Sequence, residues 1–502
     1  MQRTEFSTTP QQALAGDFTF QLLHGTPGGG KSTTILKGAL ALDAPQIIAV
    51  PRIDLLQQHV ARLREMSSGE TEPPIIVEIH SRQPGTQGKV ERRLRDALDA
   101  ATSPRTLILT THAALMGQEP QDIEGWHIWW DELPEADLVS GKVGLGASWP
   151  ALAAIYDLVP GAQPGWFQLV LRRDAIGLRQ VLGDVGRDLV ELHRLAGSRG
   201  RIVEVNIGAW ADAGVSGCEV QWRSIWSLAM LRGCASLQVA AAGYKGSLAE
   251  YAVQRAGGVR VEVVPVGAER IGQPQVRVYF YTRQPASTAF WAKPQGAACL
   301  VAISRHLEAA GFDGYWAANE KITPYFVGRI GGEQCSPKLA GTNSLRHHVS
   351  AALLYSAKAT PNDAAIMDAL GLSREAIRAA REDQDIFQFV TRGAIRDADF
   401  DGLFEIHVYD EGQAQRLQDR LIAGGYTDVM IIPIPEVGIM DATGSVSGAT
   451  PNTGSKPETA AERNERRRLA EVERGRRRRA SDKNSKIANG TYRGRGRPRR
   501  SS

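Results

Sequence analysis

The sequence contains few cysteines, and nothing joins them into a site. Only four occur in 502 residues, and they are scattered: Cys218, Cys234, Cys299 and Cys335. None forms a CxxC pair or has a histidine at metal-ligand spacing, which argues against a disulfide framework and against a zinc site. Scattered thiols of this kind fit a reducing compartment, so we expect a cytoplasmic protein.

Long apolar runs are also missing. No stretch of about 18 uncharged apolar residues occurs, so the sequence predicts no membrane span. Residues 1–5 are polar and lack the apolar core of a signal peptide, so we expect no export. Hydrophobic residues nevertheless make up 42% of the chain, which is enough for buried cores, and the length predicts about two to four folded units.

Negative charge is scarce at the C-terminal end. Residues 456–502 contain 17 Lys and Arg and 6 Asp and Glu, a local net charge of +11, whereas the whole chain carries only +4. The other residues therefore carry −7. An acidic body with a basic tail predicts a polyanionic partner. We expect nucleic acid, with DNA favoured over RNA; the sequence gives no signal of oligomeric state.

Short apolar strands alternate with helical patterns in two parts of the chain. In the first part, residues 18–24, 47–50, 75–77, 107–109 and 128–130 read as strands, and residues 31–42 read as a helix. The alternation resumes at residues 276–280, 351–354 and 404–408, the last followed by a helical pattern over 411–423. Strands and helices in this order predict βαβ units, and hence an α/β fold with two parallel-sheet lobes.

A glycine-rich loop follows the first strand and leads directly into the first helix. It fits the pattern G-x-x-x-x-G-K-[ST] in full: Gly25-Thr26-Pro27-Gly28-Gly29-Gly30-Lys31-Ser32, followed by Thr33. Glycines let backbone N–H groups approach and surround phosphates, and a helix N-terminus adds favourable partial charge. We expect Lys31 to contact the β- and γ-phosphates of ATP and Ser32 to bind Mg²⁺.

Two acids end a later strand. Asp131 and Glu132 follow the apolar residues 128–130, which places both carboxylates at the carboxyl edge of the sheet, where the glycine-rich loop also lies. We expect Asp131 to bind Mg²⁺ and Glu132 to act as the general base for the attacking water. Four nearby tryptophans could suggest a base-stacking surface, but we favour packing: Trp126, Trp129, Trp130 and Trp149.

Together with the glycine-rich loop, the acidic strand end carries a family resemblance. Asp131-Glu132-Leu133-Pro134 resembles the DExx box of superfamily 2 helicases, which include the DEAD- and DEAH-box proteins. Other segments resemble that family's motifs in the family's order. Residues 50–58 are similar to motif Ia, whose loop contacts the nucleic-acid backbone; Arg52 is a candidate for that contact, although we favour a solvated side chain. Residues 110–115 are similar to the threonine-rich strand end before the DExx box. Residues 239–243 stand in the place of motif III without its hydroxyls. Residues 339–343, with Thr342 and Asn343, resemble motif V.

Residues 388–396 resemble motif VI, with one extra residue before the last arginine. If the segment is helical, spacings of four place Gln388, Arg392 and Arg396 on one face. Arg392, and after it Arg396, could then neutralise charge on the γ-phosphate as an arginine finger. The alternative is that these arginines form a solvated helix face.

The resemblance implies two RecA-like lobes with additions. We expect an ATP-binding lobe over 1–137, a mainly helical insertion over 138–236, the end of the first lobe over 237–270 and the second lobe over 271–437. A flexible linker over 438–457, rich in Gly, Ser, Thr and Pro, then leads to a disordered basic tail over 458–502. Residues 493–500 of the tail resemble an AT-hook, but the match is short and we favour non-specific electrostatic binding.

The leading hypothesis is an ATP-dependent helicase or translocase, which would require ATP and Mg²⁺. A phage DNA-packaging terminase is a second possibility, with Asp397, Asp399 and Asp401 as candidate metal ligands of a nuclease. A DNA-binding replication factor that uses ATP as a switch is a third. An association with phage or plasmid replication is a hypothesis from the basic tail and the atypical motifs.

Overall fold

The computed structural model describes eleven segments of the chain: residues 18–25, 28–85, 88–134, 137–144, 155–172, 187–212, 219–267, 270–285, 287–338, 344–359 and 363–442. These residues belong to one compact unit, Met1–Gly444. Its described residues form two parallel sheets and one antiparallel sheet. No helix in the described segments combines the length and the apolar character needed to cross a membrane.

Seven parallel strands form the sheet of the first lobe: β1 (Phe18–His24), β2 (Gln46–Val50), β3 (Ile75–Ile79), β4 (Thr106–Thr111), β5 (His127–Asp131), β11 (Ser236–Ala241) and β12 (Val259–Pro265). Their order is β12-β1-β11-β5-β2-β4-β3. The motif III-like strand β11 therefore lies between β1, which leads into the glycine-rich loop, and β5, which ends in Asp131. Because every pairing is parallel, both motifs reach the same edge of the sheet.

Helices cover both faces of this sheet: α1 (Lys31–Ala41), α2 (Ile53–Met66), α3 (Val90–Ala100), α4 (His112–Met116) and α7 (Leu248–Ala256). On one face Leu36 and Leu56 pack with Trp129. On the other, Leu94 packs with Trp130 and Trp226. Burial on both faces explains why the central strands β2, β4 and β5 are nearly continuous apolar runs rather than alternating ones. Trp126, Trp129 and Trp130 all lie in these cores, as the packing interpretation requires; Trp149 lies outside the described residues.

The prediction of a mainly helical insertion over 138–236 is wrong for its described residues. They form a five-stranded antiparallel sheet, in the order β6-β10-β9-β8-β7. The strands are β6 (Leu138–Val143), β7 (Tyr156–Pro160), β8 (Trp166–Leu171), β9 (Ile202–Asn206) and β10 (Val220–Ile225). The described helices are α5 (Arg187–Ala196) and α6 (Ile207–Ala211).

The insertion sheet ends before the predicted boundary. Its last strand stops at Ile225, and the chain then forms a 3-10 turn, Leu228–Leu231, whose side chains pack in the first lobe. The strands have five or six residues each, so the alternation of apolar and polar residues in each strand is short. A helical pattern near Leu195 therefore decided the prediction for the whole insertion. In β9, for example, Val203 and Val205 are buried in the insertion's own core.

Six parallel strands form the second lobe: β13 (Gln275–Thr282), β14 (Tyr315–Ala318), β15 (Glu333–Gln334), β16 (Ser350–Leu354), β17 (Leu403–Asp410) and β18 (Asp428–Pro433). Their order is β15-β14-β16-β17-β13-β18. The helices are α8 (Thr288–Trp291), α9 (Pro294–Ala309), α10 (Ala364–Leu370), α11 (Arg374–Arg378), α12 (Gln384–Val390) and α13 (Glu411–Ala423), with a π-helical turn, Ala379–Asp383, before α12. The α/β class with two parallel sheets is thus confirmed.

The second lobe extends past the predicted start of the linker at residue 438. Met440 is buried in the core of the second lobe. Its backbone carbonyl accepts hydrogen bonds from the Arg283 amide at 2.8 Å and from Thr282 Oγ1 at 3.1 Å. Residues 438–442 therefore pack on the lobe, and the rest of the predicted linker and the basic tail lie outside the described residues.

Candidate nucleotide-binding site

The glycine-rich loop joins β1 to α1 and uses glycine where the backbone requires it. Gly28 has φ 87° and Gly30 has φ 84°, both in the left-handed region that side chains disfavour. Gly30 is the N-cap of α1 and provides no side-chain cap. The start of α1 is therefore not capped by the side chain of its N-cap residue, and a phosphate is the kind of group that fits such a helix start. Thr26 and Pro27 lie outside the described residues.

Lys31 lies within its own loop. Its Nζ donates a hydrogen bond to the Gly25 carbonyl at 2.8 Å. Burial lowers the pKa of Lys31 to about 8, against the opposing effects of Glu132 and Asp131. The neighbouring arginines, Arg396 and Arg392, contribute to this lowering. Lys31 is thus a buried cation that lies among two carboxylates and two guanidinium groups.

Asp131 ends β5 with its carboxylate fully enclosed. Its side chain is 3% exposed, and Oδ2 lies 2.7 Å from His59 Nε2, which donates to the carboxylate. The other nitrogen of His59, Nδ1, is buried with no hydrogen-bond partner among the described residues. Asp131 therefore lies at the sheet edge from which the glycine-rich loop emerges, and His59 of α2 orients its carboxylate. The Ser32 side chain is half-buried at the second position of α1.

Glu132 has an unusual backbone. Its φ of 70° is the only positive value found outside glycine among the described residues. A side chain in the left-handed region costs roughly 1–2 kcal/mol, so the surroundings must impose this conformation. The Glu132 amide donates to the Ala240 carbonyl of β11 at 2.9 Å, which ties it to the neighbouring strand. Its carboxylate faces the second lobe.

The motif VI-like segment does not form the continuous helix predicted over 388–396. Helix α12 ends at Val390, and Thr391 Oγ1 donates back to the Phe387 carbonyl at 2.8 Å. Gly393 is extended, and residues 394–396 form a separate 3-10 turn. Buried Tyr315 fixes the break, since its hydroxyl lies 2.8 Å from the Val390 carbonyl and accepts from the Gly393 amide at 3.1 Å. The predicted common helix face is therefore wrong.

Both arginines nevertheless reach the first lobe. Arg392 Nη2 lies 3.7 Å from Glu132 Oε1. Arg392 is 4% exposed, and its Nε is buried with no hydrogen-bond partner among the described residues. Arg396 packs on the glycine-rich loop: a Cβ added to Gly28 would lie 2.3 Å from Arg396 Cγ and 2.8 Å from its Nε. The solvated-face alternative does not fit these two side chains.

The charges at the site are mutually balanced only in part. Burial, together with Arg392 and Arg346, lowers the pKa of Arg396 to about 10, while Glu132 opposes the shift. Three cations lie near the two carboxylates of Asp131 and Glu132: Lys31, Arg392 and Arg396. The surplus is positive, which suits a bound polyphosphate with a divalent cation.

Gln388 lines a large cleft of about 1740 Å³. The cleft is lined by all three parts of the compact unit: by Pro51 and Arg52 of the first lobe, by Arg201 of the insertion, and by Gln388 of the second lobe. Glu132 also lines it. The structure therefore brings both Gln388 and Arg52 to a cleft that Glu132 also lines.

The motif III-like loop also meets the second lobe. A Cβ on Gly243 would lie 2.3 Å from Gln384 Nε2, and Gln384 Oε1 accepts from Arg420 Nη1 at 2.6 Å. The segment 239–243 lacks the hydroxyls of motif III, but its Gly243 lies close to Gln384 of the second lobe. The motif V-like residues 339–343, with Thr342 and Asn343, lie outside the described residues.

Sequence reasoning missed two histidines beside Asp131. His59 lies on the buried stripe of α2, with Leu55, Leu56, Val60 and Leu63, so a histidine within an apolar helical stripe was the available signal. His112 starts α4, and its Nε2 lies 3.0 Å from the Asp131 backbone carbonyl. Burial lowers the pKa of His112 to about 4, so it is neutral near pH 7 and donates through Nε2.

The acids proposed for a nuclease do not form a cluster. Asp399 and Asp401 are exposed, and Asp397 pairs with Arg346. Within the described segments, no group of three or more His, Cys, Asp or Glu residues is arranged to bind a metal. The three described cysteines, Cys234, Cys299 and Cys335, are unpaired thiols.

No family model matches the chain, and no curated protein matches it. Among solved structures, the chain is similar to one titled "XPD_Helicase", with 10% identity and a TM-score of 0.44, covering 84% of this chain and 97% of that one. It is similar to S. cerevisiae Dbp5 bound to RNA and ADP BeF3, with 12% identity and a TM-score of 0.33, covering 84% and 86%. It is also similar to RecG bound to a three-way DNA junction, with 12% identity and a TM-score of 0.31, covering 84% and 45%.

All three TM-scores lie below 0.5, so these similarities establish neither the family nor the function of the chain. None of the three is described as a phage or plasmid protein, and that association gains no support from them. The interpretation of the site therefore rests on its own geometry.

Proposed function

We propose that the chain is an ATP-dependent nucleic-acid helicase or translocase that hydrolyses ATP between its two α/β lobes. One observation carries the proposal. Arg392 and Arg396 of the second lobe lie against Glu132 and Gly28 of the first. A phosphate on the loop would thus be surrounded by groups from both lobes, so that its loss would change the contact between them.

Each residue of the site has a proposed task. The loop residues Gly25 to Thr33 bind the phosphates through backbone amides, and Lys31 adds a positive charge. Ser32 and Asp131 are the residues proposed to bind Mg²⁺, which when present neutralises charge on the phosphate oxygens. Glu132 accepts a proton from the attacking water, and Arg392 and Arg396 stabilise charge on the γ-phosphate.

The nucleic-acid part of the proposal rests on the cleft and the tail. The cleft adjoins Glu132 and contains Arg52 from the first lobe and Lys358 from the second. The basic residues 456–502 supply a sequence-independent attraction to phosphate backbones, DNA in our preferred version. The packaging alternative has less support, because its candidate metal ligands Asp399 and Asp401 are solvent-exposed.

The test is the ATPase rate of the full chain with no polymer, single-stranded DNA, duplex DNA and RNA. We expect one polymer to stimulate turnover and Lys31→Ala to lower kcat/KM at least about a hundredfold. Lys37→Ala is the matched control, since Lys37 lies on the same helix and is exposed.

Three results would contradict the proposal. If no polymer changes the rate but ATP alters DNA binding, the chain is a nucleotide-switched DNA-binding factor. If plasmid DNA is cut in a metal-dependent reaction that requires Asp397, Asp399 and Asp401, the packaging alternative is right. If Lys31→Ala and Lys37→Ala hydrolyse ATP equally fast, the glycine-rich loop is not the site.

A further inference from the structure

The peptide group between Asp131 and Glu132 is fixed on both sides. Its carbonyl accepts a hydrogen bond from His112 Nε2 at 3.0 Å. Its amide donates to the Ala240 carbonyl at 2.9 Å. These two contacts come from different strands, because His112 follows β4 and Ala240 belongs to β11.

This peptide precedes the strained residue. Rotation of the peptide changes the φ of Glu132, which stands at 70°. A glutamate relaxes from the left-handed region when nothing opposes it, because its Cβ crowds the backbone there. The two hydrogen bonds hold this peptide in place and thereby oppose a change in the φ of Glu132.

His112 is itself rigidly placed. Its ring stacks on Trp130 with centroids 4.4 Å apart and an interplanar angle of 23°. Trp130 is fully buried and stacks in turn on Trp226 at 5.6 Å. The imidazole is 8% exposed and cannot turn without disrupting this stack.

We infer that His112 is a positioning residue for ATP hydrolysis, which orients the general base Glu132 by holding the carbonyl of the preceding peptide. The inference rests on the proposed function. His112 touches neither the water nor the phosphates in this role. It acts through the backbone, and only its Nε2–H donor is required.

The test compares two substitutions of His112 in the full chain. His112→Phe keeps an aromatic ring on Trp130 and removes the donor. His112→Gln loses the ring but places an amide N–H where Nε2 stood. His80→Phe is the matched control, because His80 is equally buried in the first lobe and its Nε2 lies nearest Glu78 rather than the catalytic acids.

We expect His112→Phe to lower kcat about ten- to a hundredfold, the usual effect of a misplaced catalytic group. The KM for ATP should change less than about threefold, because the phosphate contacts are untouched. His112→Gln should recover most of kcat, and His80→Phe should match the wild type.

The outcomes separate the inference from the proposed function. If the wild type hydrolyses ATP and His112→Phe keeps its kcat, the inference is overturned alone. The same follows if His112→Gln is as slow as His112→Phe, because the donor then does not matter. If the wild type does not hydrolyse ATP at all, the proposed function and the inference both fail.

Discussion

Removing Arg392 tests the contact between the two lobes. The guanidinium lies 3.7 Å from the Glu132 carboxylate and is almost fully buried. At an effective dielectric constant of about 20, two unit charges at that distance interact by about 4 kcal/mol. A guanidinium that approaches the charge developing on a transferred phosphate equally closely would contribute a similar amount. We therefore expect Arg392→Ala to lower kcat by about a thousandfold.

Binding of ATP should survive this change. The loop amides and Lys31 belong to the first lobe, so the dissociation constant for a fluorescent ATP analogue should stay within about threefold. Arg392→Lys keeps the charge but loses the planar fork, and its rate should lie between those of Arg392→Ala and the wild type. Arg277→Ala is the control, since Arg277 is a paired arginine of the same lobe that contacts Asp428.

Single-turnover and steady-state ATPase rates give the two quantities. A rate for Arg392→Ala within about threefold of the wild type, with ATP binding intact, would refute the arginine-finger assignment. A large loss of ATP affinity together with the loss of rate would also refute it, because Arg392 would then serve binding rather than the transition state.

Two further predictions concern charge. Burial lowers the pKa of Lys31 to about 8, so its positive charge is lost as the pH rises through that value. The apparent KM for ATP should therefore be nearly constant up to about pH 7.5. Beyond pH 8 it should rise by up to about tenfold per pH unit. An unchanged KM through about pH 9.5 would mean that Lys31 does not bind ATP as a cation. Arg223 is 1% exposed, pairs with Glu204 at 2.7 Å and with Asp368 at 2.6 Å, and lies 3.8 Å above the Trp166 ring. Arg223→Ala leaves buried Glu204 with only Arg255, so it should lower the free energy of unfolding by about 3 kcal/mol in urea titrations; a loss below about 1 kcal/mol would show that the insertion is stable without this pair.

The glycine-rich loop, the acidic strand end and the second-lobe helix were predictable because each has a strong local pattern. The sequence predicts a helix from Lys31, and α1 begins there. It predicts a helix over 411–423, and α13 has those bounds. It also predicts that a strand ends at the two acids, and β5 ends at Asp131. In each case propensity, turn chemistry and packing favour the same structure.

The errors occur where long-range contacts decide the structure. Helical periodicity over 388–396 is real, but Tyr315, more than seventy positions earlier in the chain, holds the break after Val390. The insertion's strands are too short for their alternation to outweigh a helical segment, and they become stable only as a sheet. Neither the left-handed φ of Glu132 nor the contacts of His59 and His112 with Asp131 has a local sequence signal, because each depends on neighbouring strands or helices.

The central claim is that one triphosphate is bound by both lobes. A crystal structure of the full chain with ADP, Mg²⁺ and a planar mimic of the transferred phosphate tests it most directly, because this complex resembles the transition state. The account predicts that the phosphate mimic lies within about 3 Å of both Lys31 Nζ and the Arg392 guanidinium, as charge-assisted hydrogen bonds require. A nucleotide bound by the first lobe alone, with Arg392 and Arg396 both turned away from its phosphates, would contradict it.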